Sequence, residues 1–453
     1  MSAELQDYAE GLESLARRLG LDYYPVDFEL APASLMTEIA VYGLPIRMPH
    51  WSFGVRYIHQ LVRQSMGYSK IFEVMFPGDP CRAFLMDGNS VAENTLVTAH
   101  VLGHADFARN NQLFARFHDM SGGNIVEKAA AHAHRIQLAI EANGVERVEG
   151  VLDAALALES HVDVAGELHR SPYPEFLAEK EISKKTAFQQ RFQQLPGSHQ
   201  PAAPAPGPVR AALPPHPEYD LLWFIATYAP ELEPWERDIF LAVRAESLYF
   251  YPVFACQIMN EGWASYWHAR LLREADFLPQ PLYLAAIKAH SDVVRPFAAG
   301  EQTALAINPY HLGFTIWEHI VERHGLERAW EVRRDEDDFG FIRNWLDAEL
   351  AERSGLFVFE AHPGDEIRVA SRDLDAVREA ILAPKFNFGA PRVAALEVRQ
   401  DGALVLGHDH ASDGRGLDLA RGKKVLEYVS RVWRRPVRLH TVNERGEPVE
   451  LAA

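Results

Sequence analysis

His100 and His104 stand four residues apart in the stretch "NTLVTAHVLGHADFARNN". On a helix, positions i and i+4 are neighbours on one face, so two imidazoles at this spacing can converge on one ion. Neutral imidazole is the commonest transition-metal ligand, and zinc peptidases use this spacing. A chain with 20 histidines produces such pairs by chance, so the reading needs a third donor. The stretch "IMNEGWASYWHARL" offers one. Glu261 and His268 lie two turns apart on one helical face there, and a carboxylate on a helix remote in sequence is how a three-ligand zinc site is completed. Met259, Trp263, Tyr266, Trp267 and Leu271 would seat that helix in a core and keep water scarce around an ion. Glu261 is therefore read as a ligand, while His268 reads equally as a site residue or as a core histidine.

Other polar residues carry less. His132 and His134 in "AAAHAHR" are two apart, on different sides of a helix, and read as core or surface polar groups. His50 in "PHWSFG" lines a cleft or caps a turn, and His311 and Glu318 sit two turns apart, where a structural hydrogen bond is the better reading. Arg109, Asn110 and Asn111 follow the histidine helix and can bind a substrate carboxylate or satisfy helix-end carbonyls. His408 and His410 fall on an expected strand, share a face and are assigned no metal. The chain lacks G-x-x-x-x-G-K-[ST], G-x-G-x-x-G after a strand and G-x-S-x-G, so nucleotide binding and serine-hydrolase chemistry have no motif to stand on.

The elements that must position these side chains are mostly helical. Apolar spacing predicts helices over 4–20, 89–117, 124–143, 145–162 and 173–192. A Pro- and Gly-punctuated, aromatic stretch from Tyr23 to Gly54 separates the first two and is too broken to be one helix. Residues 195–220 are so rich in proline and small residues that they read as an extended linker or insertion. Helical patterning resumes at "YDLLWFIATYAP"; Pro252 should stop one helix near Tyr251 and let another begin. Further helices are expected near 281–290, 309–324, 326–334 and 339–352. After Gly355 the pattern changes to strands at "LFVFEAH" and "EIRVAS", a helix at 372–382 and a hairpin turning at Asp401-Gly402. A helix at 417–433 and strands near 436–442 and 447–451 follow.

The 453 residues are 48% hydrophobic and 24% charged, an ordinary globular composition with room for a large core. Asp and Glu total 63 against 45 Lys and Arg, a net charge of −18 that opposes nonspecific binding to nucleic acid or to an anionic membrane. Cys81 and Cys256 are the only cysteines, which removes disulfide frameworks and cysteine zinc clusters and fits a reducing cytosol. Neither a signal peptide nor a membrane-spanning run of about 20 apolar residues is legible, so a cytoplasmic setting is expected.

"YYPVDFELAPASLMTEIAVYGLP", "HWSFG", "AHVLGHADFARNN", "IMNEGWASYWHARLL" and "KKVLEYVSRVWRRPVRLHT" together resemble the stage V sporulation protein R (SpoVR) family, in the family's order and over nearly the whole chain. The resemblance implies a bacterial protein. In spore formers it is linked to formation of the cortex, a peptidoglycan layer; elsewhere it is linked to an operon with a PrkA-type serine protein kinase and a von Willebrand-like partner. It supplies no biochemical activity. The chain has Cys256-Gln257 where the family pattern carries a Thr-Lys pair.

A more distant likeness is to gluzincin-type metallopeptidases, which bind zinc through H-E-x-x-H and a glutamate on a later helix. His100, His104 and Glu261 would map onto those ligands, and Val101 stands where the catalytic glutamate would be. Valine cannot accept a proton, so the general base must come from elsewhere, with Glu246 or Asp106 the nearest guesses. His268 could instead shuttle the proton or complete a four-ligand structural site.

The expected fold is mainly α: a large helical domain over residues 1–355 with metallopeptidase-like helices, and a small α+β domain over 356–453. The leading expectation is a zinc-dependent, hydrolase-like protein acting on an amide in a peptide or cell-wall precursor; the N/O donor set also accommodates iron or manganese. The second reading is a non-enzymatic scaffold in a PrkA-type kinase pathway serving stress response or sporulation, with the C-terminal unit as its docking site.

Overall fold

The computed structural model describes residues 3–44, 46–65, 73–121, 124–166, 213–295, 308–362, 366–414, 416–443 and 445–453. The fold is mainly α-helical with a C-terminal α+β region. The helix expected at 173–192 and the Pro-rich stretch up to residue 212 lie outside the described residues. No single helix among the described residues is long and apolar enough to cross a membrane.

By contacts the chain forms two compact units, Met1–Ala142 with Ala245–Gly389, and Asn143–Arg244 with Ala390–Ala453. The linear division expected at residue 355 is replaced by an interleaved one. Val377, Ile381 and Leu382 bury their side chains in the large core of the first unit, which takes residues 356–389 with it.

The first unit opens with α1 (Ala3–Arg18), β1 (Val26–Ala31), α2 (Ala33–Tyr42), α3 (Trp51–Ser65), β2 (Glu73–Phe76) and β3 (Cys81–Met86). The three strands form a sheet in the order β1-β3-β2, with β3 parallel to β1 and antiparallel to β2. Next come α4 (Val91–Asn110), α5 (Gln112–Ser121) and α6 (Ile125–Asn143). Helix α4 starts at a reciprocal cap: Ser90 Oγ accepts from the Glu93 N–H (3.2 Å) and Glu93 Oε2 accepts from the Ser90 N–H (2.7 Å). One helix was expected over 89–117. It breaks at Asn111, whose Oδ1 accepts from the Leu113 N–H while its amide donates to the Arg333 and Glu336 carbonyls.

After α7 (Val145–Ala157) and α8 (Leu221–Tyr228), helix α9 (Pro234–Ala255) runs through Pro252, where a stop was expected, and the break falls at Cys256. Proline removes only its own N–H. The Pro252 carbonyl still accepts from the Cys256 N–H at 3.0 Å, so one more turn survives. The unit is completed by α10 (Gln257–Glu274), α11 (Gln280–Val293), α12 (Pro309–Asp335), α13 (Asp338–Trp345), α14 (Ala348–Arg353), the β4–β5 pair (Val358–His362, Glu366–Ser371) and α15 (Leu374–Leu382). Cys256 gives α10 no side-chain cap; Asp338 supplies it from a distance, accepting from the Ile258 and Met259 N–H groups, each at 2.9 Å. Helix α12 is interrupted at Gly325 (φ 81°), which matches the expected pair 309–324 and 326–334.

Helices α4, α10 and α12 touch nearly backbone to backbone. A Cβ on Gly103 would lie 2.7 Å from the Ala264 Cα, and one on Gly262 would overlap the Gly313 carbonyl carbon. Helix α4 is buried over almost its whole length, and Trp263, Trp267 and Trp317 are fully buried beside it.

In the second unit, α7 and α8 accompany a sheet in the order β6-β7-β8-β9 (Val393–Val398, Leu404–His408, Val437–Val442, Pro448–Ala452). The β6–β7 hairpin turns at Asp401-Gly402 as expected, with Gly402 at φ 84°. A short helix α16 (His410–Asp413) and the crossover helix α17 (Leu419–Trp433) separate β7 from its parallel neighbour β8.

Candidate metal centre

The capped start and close packing of α4 set the positions of His100 and His104. Their rings stand edge to face with centroids 4.5 Å apart, and both turn Nε2 toward Glu261 on α10. Glu261 Oε2 lies 3.5 Å from His100 Nε2 and 3.4 Å from His104 Nε2. One donor atom from each residue falls within 4.8 Å of the others. Zinc–ligand bonds of about 2.0–2.2 Å in a tetrahedron put neighbouring donors about 3.3 Å apart, so both N–O edges suit such an ion. Gly103, just before the second histidine, is what lets α4 approach α10 this closely.

The other ring nitrogens are held from behind. His104 Nδ1 is 2.8 Å from Asn260 Oδ1, and His100 Nδ1 is 2.9 Å from His268 Nδ1. That is the second layer a ligating histidine requires, because a partner on Nδ1 frees Nε2 for an ion. In front, His100 Nε2 and Glu261 Oε2 are buried and complete no hydrogen bond. Buried polar atoms are normally paired, and a cation between these two would satisfy both.

Two further groups complete the pocket. Glu73, the first residue of β2, brings Oε1 to 3.8 Å from His100 Nε2. Tyr310, in the first turn of α12, stacks its ring on His100 with centroids 6.0 Å apart. Burial and then the Glu261 charge push the Glu73 carboxyl up to about 7. The Glu261 charge and then burial hold the Tyr310 phenol well above its ordinary value. For Glu261 itself, burial works upward, but the His104 charge and the contact with His100 outweigh it and leave the carboxyl far below the carboxylate range. Burial and the neighbouring His104 charge lower His100, whereas His104 is raised because Glu261 overcomes the effect of burial.

Glu73, Asn260, His290 and Tyr310 have no part in the site as read from sequence. Asn260 adjoins Glu261 and could have been found by asking which neighbour holds a ligand's Nδ1. Glu73 and His290 offer no spacing signal, since strand pairing and helix packing alone bring them near.

The remaining candidates go elsewhere. Asp106 is saturated: its carboxylate accepts from Arg333 Nη1 (2.6 Å), Trp263 Nε1 (2.8 Å) and the Asp22 N–H (2.8 Å). Glu246 is fully buried against Arg47 Nε (2.7 Å), with His132 Nδ1 at 3.5 Å. Neither carboxylate contacts the histidine pair. His268 stands directly behind His100. His134 is exposed on α6. His50 pairs with Ser52 Oγ (2.7 Å), and His311 Nδ1 lies 2.9 Å from the Val294 carbonyl; Glu318 is half-buried on α12. Arg109 donates to the Tyr23 carbonyl (3.1 Å) and Asn110 to that of Asp22 (2.7 Å). His408 ends β7 beside Thr441 Oγ1 (2.9 Å), but His410 opens α16, so the two do not share a strand face.

Fold and donor set define a mainly α-helical protein with a buried His/His/Glu cluster among its described residues. The sequence profile of the family described as "SpoVR like protein" matches residues 1–389, and the chain belongs to that family. It is also similar to a protein of Escherichia coli (strain K12) described as "Uncharacterized protein YcgB", being 28% identical over 485 residues that cover 98% of this chain and 92% of that one. No solved structure matches it.

Proposed function

We propose that this chain holds a divalent ion, zinc foremost, through His100 Nε2, His104 Nε2 and Glu261 Oε2, and that it hydrolyses an amide bond in a peptide or cell-wall precursor. The observation that carries the reading is the convergence of three donor atoms, two of them buried and without hydrogen-bond partners. Bound there, zinc would polarise the amide carbonyl and acidify a water; iron or manganese would suit the same N/O donors. Glu73 is the carboxylate beside the donors and the one we assign as base in place of Val101, holding the proton that hydrolysis releases and returning it to the leaving nitrogen. The protonated Tyr310 phenol can donate to the oxygen on which negative charge develops. Action on a cell-wall precursor would agree with the family's link to spore cortex formation, and action on a peptide with the stress-response setting.

Elemental mass spectrometry on untagged protein tests the reading. The expected result is about one zinc per chain, lost in His104→Ala and in Glu261→Ala while the fold persists, followed by cleavage in a screen of peptides and muropeptides. Absence of metal after chelator-free purification would overturn it. A second reading, a non-enzymatic scaffold in a PrkA-type kinase pathway, is favoured by one observation: Val101 is wholly buried in the hydrophobic core. Full complementation of a null strain by the folded double variant His100→Ala, His104→Ala would bring it forward.

A further inference from the structure

Behind the ligand nitrogen of His100 three histidines from three helices stand in line. His100 Nδ1 on α4 is 2.9 Å from His268 Nδ1 on α10, and His268 Nε2 is 2.5 Å from His290 Nδ1 on α11. His100 and His268 are buried, and His290 is the partly exposed outer end, packed edge to face on Phe314.

Counting hydrogens gives this line a direction. A neutral imidazole carries one N–H and one lone pair, so at each short N–N contact one nitrogen must hold the proton and the other must not. With the Nε2 lone pair of His100 turned toward Glu261 and an ion, its proton sits on Nδ1 and is donated to His268 Nδ1. His268 must then carry its own proton on Nε2 and donate it to His290 Nδ1. The outer N–H of His290 is left on Nε2. In the reverse polarity, His100 would point an N–H at Glu261, a stable hydrogen-bonded pair that cannot ligate.

His104 reaches the same end by a simpler route. The Asn260 Oδ1 at 2.8 Å can only accept, so His104 Nδ1 must donate and Nε2 is left bare. His268 can donate or accept at Nδ1, and so can His290 on its far side, so the tautomer of His100 follows the polarity of the whole line.

We propose that His268 and His290 are positioning residues: a one-directional donor chain that holds His100 in its Nδ1–H tautomer with Nε2 free for the ion. This rests on the metal reading of the site. The chain is dispensable for His104 and required for His100.

The test pairs zinc affinity, measured by chelator competition, with the histidine tautomers read by nitrogen-15 NMR on zinc-free, histidine-labelled full-length protein. His268→Leu removes the acceptor and should weaken zinc by about 10–100-fold. His268→Asn keeps an acceptor oxygen near the position of Nδ1 and should recover most of that loss. In the wild-type protein His100 and His104 should both be protonated on Nδ1; in His290→Ala, His100 should become a tautomer mixture while His104 does not change. Wild-type His100 protonated on Nε2 would overturn the proposal, and this measurement needs no variant to fold. Unchanged zinc affinity in His268→Leu would also overturn it and leave the metal reading standing. A wild-type chain that binds no zinc would instead remove the metal reading and the positioning role together.

Discussion

Asp106 and Glu261 are both largely buried acids at the contact of α4 and α10, and the protein treats them in opposite ways. Asp106 is closed off by a guanidinium, an indole N–H and a backbone N–H. Glu261 faces two imidazole edges and keeps one oxygen without a hydrogen bond. A carboxylate whose job is to hold helices together is satisfied by its own chain. The carboxylate proposed as a metal ligand is aimed at other donors and left incomplete.

The largest effect should come from breaking the closed one. Asp106→Ala leaves Arg333 buried and unpaired, and urea unfolding should show a loss of about 3–5 kcal/mol. Glu261→Gln in zinc-free protein should cost far less, and equal losses in the two variants would erase the contrast. Zinc sharpens it from the other side. Excess zinc, at about 1,000 times its Kd, should stabilise the wild-type chain by about 4 kcal/mol, and Glu261→Gln should lose most of that gain on top of its small zinc-free cost.

A smaller effect is expected where the two acids share a support. Gly103→Ala forces α4 off Ala264 at a cost of about 1–3 kcal/mol and should weaken zinc as well, because His104 moves with its helix. Gly88→Ala, at a position with open space around the missing Cβ, is the control and should do neither. The smallest test lies in the second unit, where His161 Nδ1 is also buried without a partner. Burial depresses the His161 pKa to about 4, against the pull of a hydrogen bond to the Pro391 carbonyl. Its unfolded value is about 6.5, so the unfolded chain takes up the proton first as pH falls. The stability contributed by the neutral ring is complete above pH of about 6.5 and drains away toward pH 4. Discounted for the part of the ring water reaches, the loss is about 1–2 kcal/mol, and His161→Gln should flatten that slope in pH-dependent denaturation.

What the sequence determined by itself is local. The i, i+4 spacing of His100 and His104, the break at Gly325 and the turn at Asp401-Gly402 depend on residues within a turn of one another, and the structure places them where the spacing puts them. Glu261 was legible through its motif, though its approach to the histidines was not. Tertiary structure decided the rest. Asp338 caps α10, Asn111 stops α4 by binding carbonyls of α12, and Asp106 and Glu246 are taken up by arginines far away in sequence. Glu73 and His290 join the site from a strand and a helix that carry no trace of it in their own spacing. A helix period is written in neighbouring side chains, but which buried polar atoms remain unsatisfied depends on every element that packs against them, and that exists only in the folded chain.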